Sequence, residues 1–184
     1  MAAEGRRRGA GRIRQLVFLG DGAVWIWNLA TRHLPEATQI VDLLHAREHL
    51  HDLARQLEFI LGDHKQAWLE QRLADLDDGD IPAICAAARA FPLAGKKAAD
   101  LDTALGYFER NAHRMRYAHF RKPGMFVGSG AVEAGCKSIV AQRCKLSGMR
   151  WTVSGATGIL TLRCLEASDR WEEIPALHSQ TPAA

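Results

Sequence analysis

The stretch LVFLGDG at residues 16–22 decides the fold, together with TQIVD at residues 38–42. Each contains a short apolar run with an acidic residue after it, Asp21 or Asp42, the pattern of a buried strand with a polar residue at its end. Residues 24–34, between the two runs, have the composition of a helix. Because strand, helix and strand follow one another within about 30 residues, the sequence predicts a βαβ unit with parallel strands.

The chain beyond residue 45 has helical periodicity. Apolar residues recur at helical spacing in three groups, at residues 50–61, 69–76 and 101–115, which predicts three or four amphipathic helices. A Lys-Pro-Gly break and a glycine-rich loop end this region, and two further helices are expected near residues 131–146 and 154–167. The fold class expected from these patterns is α/β.

Composition limits the classes of protein that fit this chain. Its 184 residues are 47% hydrophobic, enough to bury a core, and no apolar segment approaches the roughly 20 residues of a membrane span. The basic start of the chain lacks the apolar segment of a secretory signal. Four scattered cysteines form no Cys-x-x-Cys pair. We therefore expect a cytoplasmic protein without a membrane partner.

Charge is distributed unevenly along the chain. Residues 58–80 hold seven acidic against two basic side chains, whereas residues 105–150 hold nine basic against two acidic ones. The basic part suits a polyanion such as DNA, although solvated helix faces are the alternative interpretation. The candidate DNA-binding residues are Arg110, Arg114, Arg116, Lys137, Arg143, Lys145 and Arg150.

Three carboxylates are candidates for chemistry. Asp21 and Asp42 each follow a predicted strand, at the end where ligands gather in parallel sheets. Glu133 lies at the start of a predicted helix, after the loop Gly128-Ser129-Gly130. Three carboxylates meeting at one sheet edge would suit two-metal phosphoryl transfer. The alternatives are a turn-forming role for Asp21 and a solvated helix position for Glu133.

The segment from His45 to His49 also has the His-x-x-Glu-His pattern of zinc peptidases. A zinc site would need a third ligand, such as Glu70 or Glu109. A zinc peptidase is therefore a less favoured alternative.

Six blocks of sequence resemble the ISKra-type insertion-sequence transposases, which are DDE enzymes similar to Mutator-like elements. They are GDGAVWIWN, LPEATQIVDLLHAREH, GYFERN, MRY, VGSGAVEAGCK and SGMRWT, at residues 20–28, 34–49, 106–111, 115–117, 127–137 and 147–152. The resemblance covers about residues 12–172. It implies that the chain is the C-terminal part of such a transposase.

The resemblance assigns roles to individual residues. It makes Asp21 the second catalytic Asp and Glu133 the catalytic Glu, both of them ligands of two Mg²⁺ or Mn²⁺ ions. It places Asp42 and His45 in an intervening motif, in which His45 orients DNA or a carboxylate. No Asp precedes Asp21, so the first catalytic Asp is expected outside this chain, which is expected to be inactive alone.

The resemblance also implies partners and an organisation. The full-length protein is expected to bind transposon ends and target DNA as a homo-oligomer at the nucleoid. A non-catalytic DNA-binding remnant is the alternative, with Tyr117, Phe120 and Trp151 stacking on bases. The aromatic residues Trp25, Trp27, Tyr107 and Phe108 are expected in the core. The expected segments are a flexible basic arm (1–14), a partial ribonuclease-H-like core with two parallel strands (15–45), a helical insertion (46–122), catalytic helices (123–172) and a disordered tail (173–184).

Overall fold

A computed structural model of the chain describes residues 15–174, except for the side chains of Ala131 and Val132. The expected arm at residues 1–14 and the expected tail from residue 175 onward lie outside the described residues. The chain divides into two compact units, the first ending at Ser129 and the second beginning at Gly130. None of the helices in the described part is both long enough and apolar enough to cross a membrane.

The first unit contains a small parallel sheet. Strands β1 (Val17–Gly20) and β2 (Thr38–Val41) pair in register, from Val17 opposite Thr38 to Gly20 opposite Val41. Helix α1 (Val24–His33) connects them. The predicted βαβ unit and the α/β class are therefore confirmed, and residues 15–174 contain no strand beyond these two.

Six helices follow the sheet in the first unit. They are α2 (Leu43–Gln56), α3 (Glu58–Leu61), α4 (Lys65–Asp78), α5 (Ile81–Arg89), α6 (Gly95–Asn111) and α7 (Tyr117–Arg121). The sequence predicts three or four amphipathic helices here, and it misses α5. Pro82 lies in the first turn of α5, where no helical hydrogen bond is lost, and Asp80 caps the helix by accepting a hydrogen bond from the Ala83 amide at 3.0 Å.

The helices share one hydrophobic core with the sheet. Strand β2 is its centre, since Ile40 and Val41 are fully buried. Residues at helical spacing complete it, and each fully buried aliphatic or aromatic side chain contributes about 1.5–3 kcal/mol of transfer free energy. The fully buried core residues of the helices include Leu50, Leu53, Leu76, Ile84, Leu105, Phe108 and Tyr117.

The two tryptophans of α1 differ in solvent exposure. Trp27 is buried in the core as expected, but Trp25 is 66% exposed. The expectation that Trp25 is a core residue is therefore wrong. Residues two positions apart lie on opposite sides of a helix, and α1 has the sheet on only one side, so the two indoles cannot both be buried against it.

Ion pairs join the acidic segment to neighbouring helices. Asp77 of α4 accepts two hydrogen bonds from the Arg47 guanidinium of α2, at 2.6 and 2.9 Å, and one from Arg121 of α7 at 3.2 Å. Two more acids of this segment, Glu58 and Asp75, pair with the basic residues close to them in sequence. The acidic excess of residues 58–80 is thus partly neutralised within the unit.

The second unit is built from two helical segments. Helix α8 (Gly130–Gly135) continues as a π-helix (Cys136–Ala141) and ends in the single turn α9 (Gln142–Cys144). Helix α10 (Val153–Ala167) follows, capped by the Thr152 hydroxyl, which accepts a hydrogen bond from the Gly155 amide at 3.1 Å. Arg163 of α10 donates to the carbonyl oxygens of Ser138 and Ile139, at 2.6 and 3.0 Å. It thereby ties α10 to the π-helical turns.

The buried hydroxyl of Tyr117 provides a test of how α7 docks on the sheet. It donates a hydrogen bond to the Val41 carbonyl oxygen at 3.1 Å. We expect Tyr117→Phe to lower the free energy of unfolding in urea by about 1 kcal/mol, the usual net contribution of such a bond. An unchanged free energy of unfolding would mean that this bond does not stabilise the docking of α7.

Candidate functional site

Asp21 is an exposed carboxylate directly after β1. Its Oδ1 accepts a hydrogen bond from the Ala23 amide at 2.9 Å, which closes a turn of the kind that Asp residues commonly form. Because β1 and β2 are parallel and in register, Asp21 and Asp42 both follow the carboxyl edge of the sheet. The structure thus places these two candidate residues at the same edge.

Helix α6 holds the backbone of the Asp21 turn. The Tyr107 hydroxyl donates to the carbonyl oxygen of Asp21 at 3.0 Å, and the side-chain amide of Asn111 donates to that of Gly22 at 3.4 Å. Asn111 is 97% buried, and its Oδ1 accepts a hydrogen bond from the Trp27 indole at 3.1 Å. The turn is therefore fixed from α6 at two successive residues.

Gly22 is required at this contact. Its φ is +99°, a backbone conformation that favours glycine. A Cβ atom at this position would lie 2.6 Å from Cε2 of Tyr107. The Gly22 backbone and the Tyr107 ring therefore pack so closely that a side chain at position 22 would overlap the ring.

Two histidines of α2 extend the cluster around Tyr107. The His49 ring stacks on the Tyr107 ring, with centroids 3.7 Å apart, and His45 contacts His49 edge-on at 4.9 Å. Burial, and then the charge of His45, lower the pKa of His49, which favours its neutral form. Burial, followed by the negative charges of Asp21 and Asp42, raises the pKa of Tyr107, so its hydroxyl remains a hydrogen-bond donor.

Asp42 and His45 have local partners. Asp42 is buried and caps α2, because its Oδ1 accepts a hydrogen bond from the Leu44 amide at 2.9 Å. His45 Nδ1 lies 3.1 Å from Oε2 of Glu48, one helical turn away. Asp42 therefore has a structural role at the sheet edge, and His45 contacts a carboxylate.

The described residues contain no group of three His, Cys, Asp or Glu side chains placed to hold one metal ion. Asp21 fits as a single oxygen ligand, and one carboxylate does not make a site. The possible third zinc ligands are engaged elsewhere, because Glu70 accepts from Gln66 at 2.7 Å and Glu109 pairs with Arg89 at 2.7 Å. Within the described part of the first unit, Asp21 therefore has no further ligands beside it that would complete a three-ligand metal site.

Glu133 lies in the second unit. It is exposed, in the first turn of α8, immediately before the π-helical segment. Short π-helical insertions are rare and occur frequently at functional sites. The sequence did not predict this segment, because no residue pattern distinguishes it from an α-helix.

The candidate cations of the second unit are exposed. They are Lys137, Arg143, Lys145 and Arg150, none of which has an ion-pair partner within the described range. Residues 137–163 carry five basic and no acidic side chains. The Arg143 guanidinium lies 5.4 Å from the centroid of the Trp151 ring, which is itself partly exposed. This surface offers both positive charge and an aromatic face.

The candidate cations of the first unit are more varied. Arg110 and Arg116 are exposed. Arg114 is half-buried, donates to Oε1 of Gln39 at 2.9 Å and lies over the Trp27 ring at 4.6 Å. Burial lowers its pKa. Arg114 thus braces β2 against α1, a role that its sequence context did not reveal.

Sequence reasoning missed the positioning role of Tyr107 and Asn111. From the sequence, Tyr107 is expected in the core, and Asn111 is only part of the GYFERN block. A signal was available, because a tyrosine and an asparagine four residues apart lie on the same face of a helix. What that face contacts could not be read from the spacing.

Comparison of the chain with protein-family models, with curated proteins and with solved structures found no match.

Replacement of Gly22 by alanine tests the contact with Tyr107. Gly124 is the matched control, since its φ is +81° and a Cβ there would meet nothing within 4 Å. We expect Gly124→Ala to cost about 1 kcal/mol of unfolding free energy for its positive φ. Gly22→Ala should cost about 1–3 kcal/mol more, because it also overpacks the Tyr107 ring. Equal losses in a urea titration would contradict the close packing.

Proposed function

We propose that this chain is the C-terminal part of a Mutator-like DDE transposase, with Asp21 and Glu133 as two of its three catalytic carboxylates. The observation that carries this proposal is the construction of the Asp21 turn. Helix α6 fixes the turn through Tyr107 and Asn111, and Gly22 permits the close approach.

A carboxylate that only ends a strand does not require this support. The bond between Asp21 Oδ1 and the Ala23 amide would satisfy such a turn by itself. Asp42 has a different role, because it is buried and acts as a helix cap. Asp21 is exposed, and side chains of α6 hold the backbone of its turn. Such support is expected of a group that must be positioned for chemistry.

The parallel sheet is consistent with part of a ribonuclease-H-like fold. In this proposal, β1 and β2 are two strands of a larger sheet, and α2 to α7 are a helical insertion between Asp21 and Glu133. The first catalytic Asp belongs to a strand beyond the 184 residues. Within residues 15–174 no further strand pairs with β1. In this proposal the outer edge of β1 is an interaction edge, consistent with oligomerisation of the full-length protein.

Two carboxylates leave a site for two Mg²⁺ or Mn²⁺ ions incomplete. In this proposal the incomplete site prevents the chain alone from cutting DNA, although the chain still binds DNA. The alternative of a non-catalytic DNA-binding remnant predicts the same binding, but it gives no reason for the support around Asp21. The transposase proposal accounts for both features.

DNA binding is assigned to the basic surface at residues 137–163, defined by Lys137, Arg143, Lys145, Arg150 and Arg163. The first four are exposed and without ion-pair partners among the described residues, so they are available to phosphates. Arg163 is engaged with two carbonyl oxygens and supports the surface instead. Trp151 adds an aromatic face to it.

The salt dependence of DNA affinity tests this proposal. We expect the double replacement Arg143→Gln and Lys145→Gln to reduce the slope of log affinity against log salt by about one for each phosphate that is no longer neutralised. The control pair is Lys65→Gln and Arg89→Gln, whose charges are neutralised by Glu58 and Glu109.

The measurement is a titration of labelled duplex DNA, as long as a transposon end, with each protein variant. Fluorescence anisotropy gives the affinity at several salt concentrations. The control pair should leave the slope as in the wild type. Equal slopes for both double variants, or no DNA affinity at low salt, would refute the assignment.

A further inference from the structure

A groove of about 600 Å³ lies beside the Asp21 turn, between α2, α3 and α6. It is called the α2–α6 groove below, and its defining residues are His49, Leu53, Phe59, Lys97, Leu101 and Tyr107. Its volume is typical of sites for small ligands, which span about 300–1,000 Å³.

We propose that the α2–α6 groove binds an unpaired nucleotide of the DNA strand that reaches Asp21. This inference rests on the proposed function, because that function brings DNA to Asp21. It adds a second contact with DNA, in the helical region of the first unit, and it names the form of DNA that is bound.

The walls of the groove suit a nucleobase. Leu53, Leu57 and Leu101 form an apolar floor and are almost fully buried. Flat rings flank it, with the stacked pair of His49 and Tyr107 in one part and Phe59, 55% exposed, in another. Bases stack on aromatic rings whatever their sequence, so such walls bind a single strand without selecting one base.

The charges of the groove suit a phosphate. The acids that line it are occupied, since Asp100 pairs with Lys96 at 2.6 Å and Asp52 pairs with Arg55 at 2.5 Å. Lys97 has no carboxylate partner among residues 15–174. Its Nζ lies 3.4 Å from the centroid of the Phe59 ring. An aromatic ring and a cation without a carboxylate partner in the described range therefore lie together in the groove lining.

Tyr107 connects the groove to the candidate catalytic carboxylate. Its ring lines the groove, while its hydroxyl donates to the carbonyl oxygen of Asp21. A base that packs against the stacked rings of His49 and Tyr107 would therefore lie close to the residue that holds the Asp21 turn. His49 offers a neutral imidazole at the same place, which can exchange hydrogen bonds with a base edge.

Binding of a single strand by the whole chain tests the proposal. The probe is a thymidine oligonucleotide of about ten residues with a 5-bromouracil at one position, titrated by anisotropy and then photocrosslinked. We expect crosslinks to Tyr107, His49 or Phe59. The double variant Phe59→Leu and Lys97→Gln should weaken affinity for the oligonucleotide about tenfold.

A matched double variant controls for loss of an exposed ring and a cation elsewhere. Phe126→Leu and Lys65→Gln remove an 81% exposed ring and a cation paired to Glu58, both outside the groove. This control should bind the oligonucleotide like the wild type, and thermal melting should show both double variants folded.

The outcomes separate the groove from the proposed function. Crosslinks confined to residues 137–163, or equal affinities of the two double variants, would overturn the groove and leave the proposed function in place. Absence of binding to both single-stranded and duplex DNA would overturn both. Loss of self-association in the groove variant, with unchanged DNA affinity, would show that a second copy of the chain occupies the groove and would overturn the proposal.

Discussion

The hydrogen bond from the Tyr107 hydroxyl to the carbonyl oxygen of Asp21 connects the helices of the first unit to the end of its sheet. On one side of it are β1 and β2, which are too short and too few to be stable alone. On the other side is α6, whose Leu105 and Phe108 are fully buried in the core. Core packing therefore fixes the position of Tyr107. Its hydrogen bond in turn restrains the backbone of the Asp21 turn. The stacking of His49 and the requirement for Gly22 both follow from the position of the Tyr107 ring.

Local features of this fold could be predicted from sequence. The strands at residues 17–20 and 38–41 follow from two apolar runs, and their parallel pairing follows from the helix between them. The exposure of Trp25 could not be predicted, because hydrophobicity does not tell which side of α1 faces the sheet. The helix at Ile81–Arg89 was missed because a proline obscured its start.

The candidate site was predictable only in part. That Asp21 lies at a strand end could be read from its neighbours in sequence. The sequence does not reveal that Tyr107 and Asn111 hold the Asp21 turn, because these contacts join residues that are 86 and 89 positions apart. Charge patterns have the same limit. The acids of residues 58–80 include Asp77, which two arginines from other helices neutralise, so a local count of charges overstates the negative field there.

Amide hydrogen exchange at Ala23 tests the central claim, that α6 holds the Asp21 turn. The Ala23 amide donates to Asp21 Oδ1, and the Leu44 amide donates in the same way to Asp42 Oδ1, which α6 does not hold. In Tyr107→Phe, the account predicts that exchange at Ala23 becomes several-fold faster while Leu44 exchanges as in the wild type. Unchanged exchange at Ala23, or equal acceleration at both amides, would contradict it.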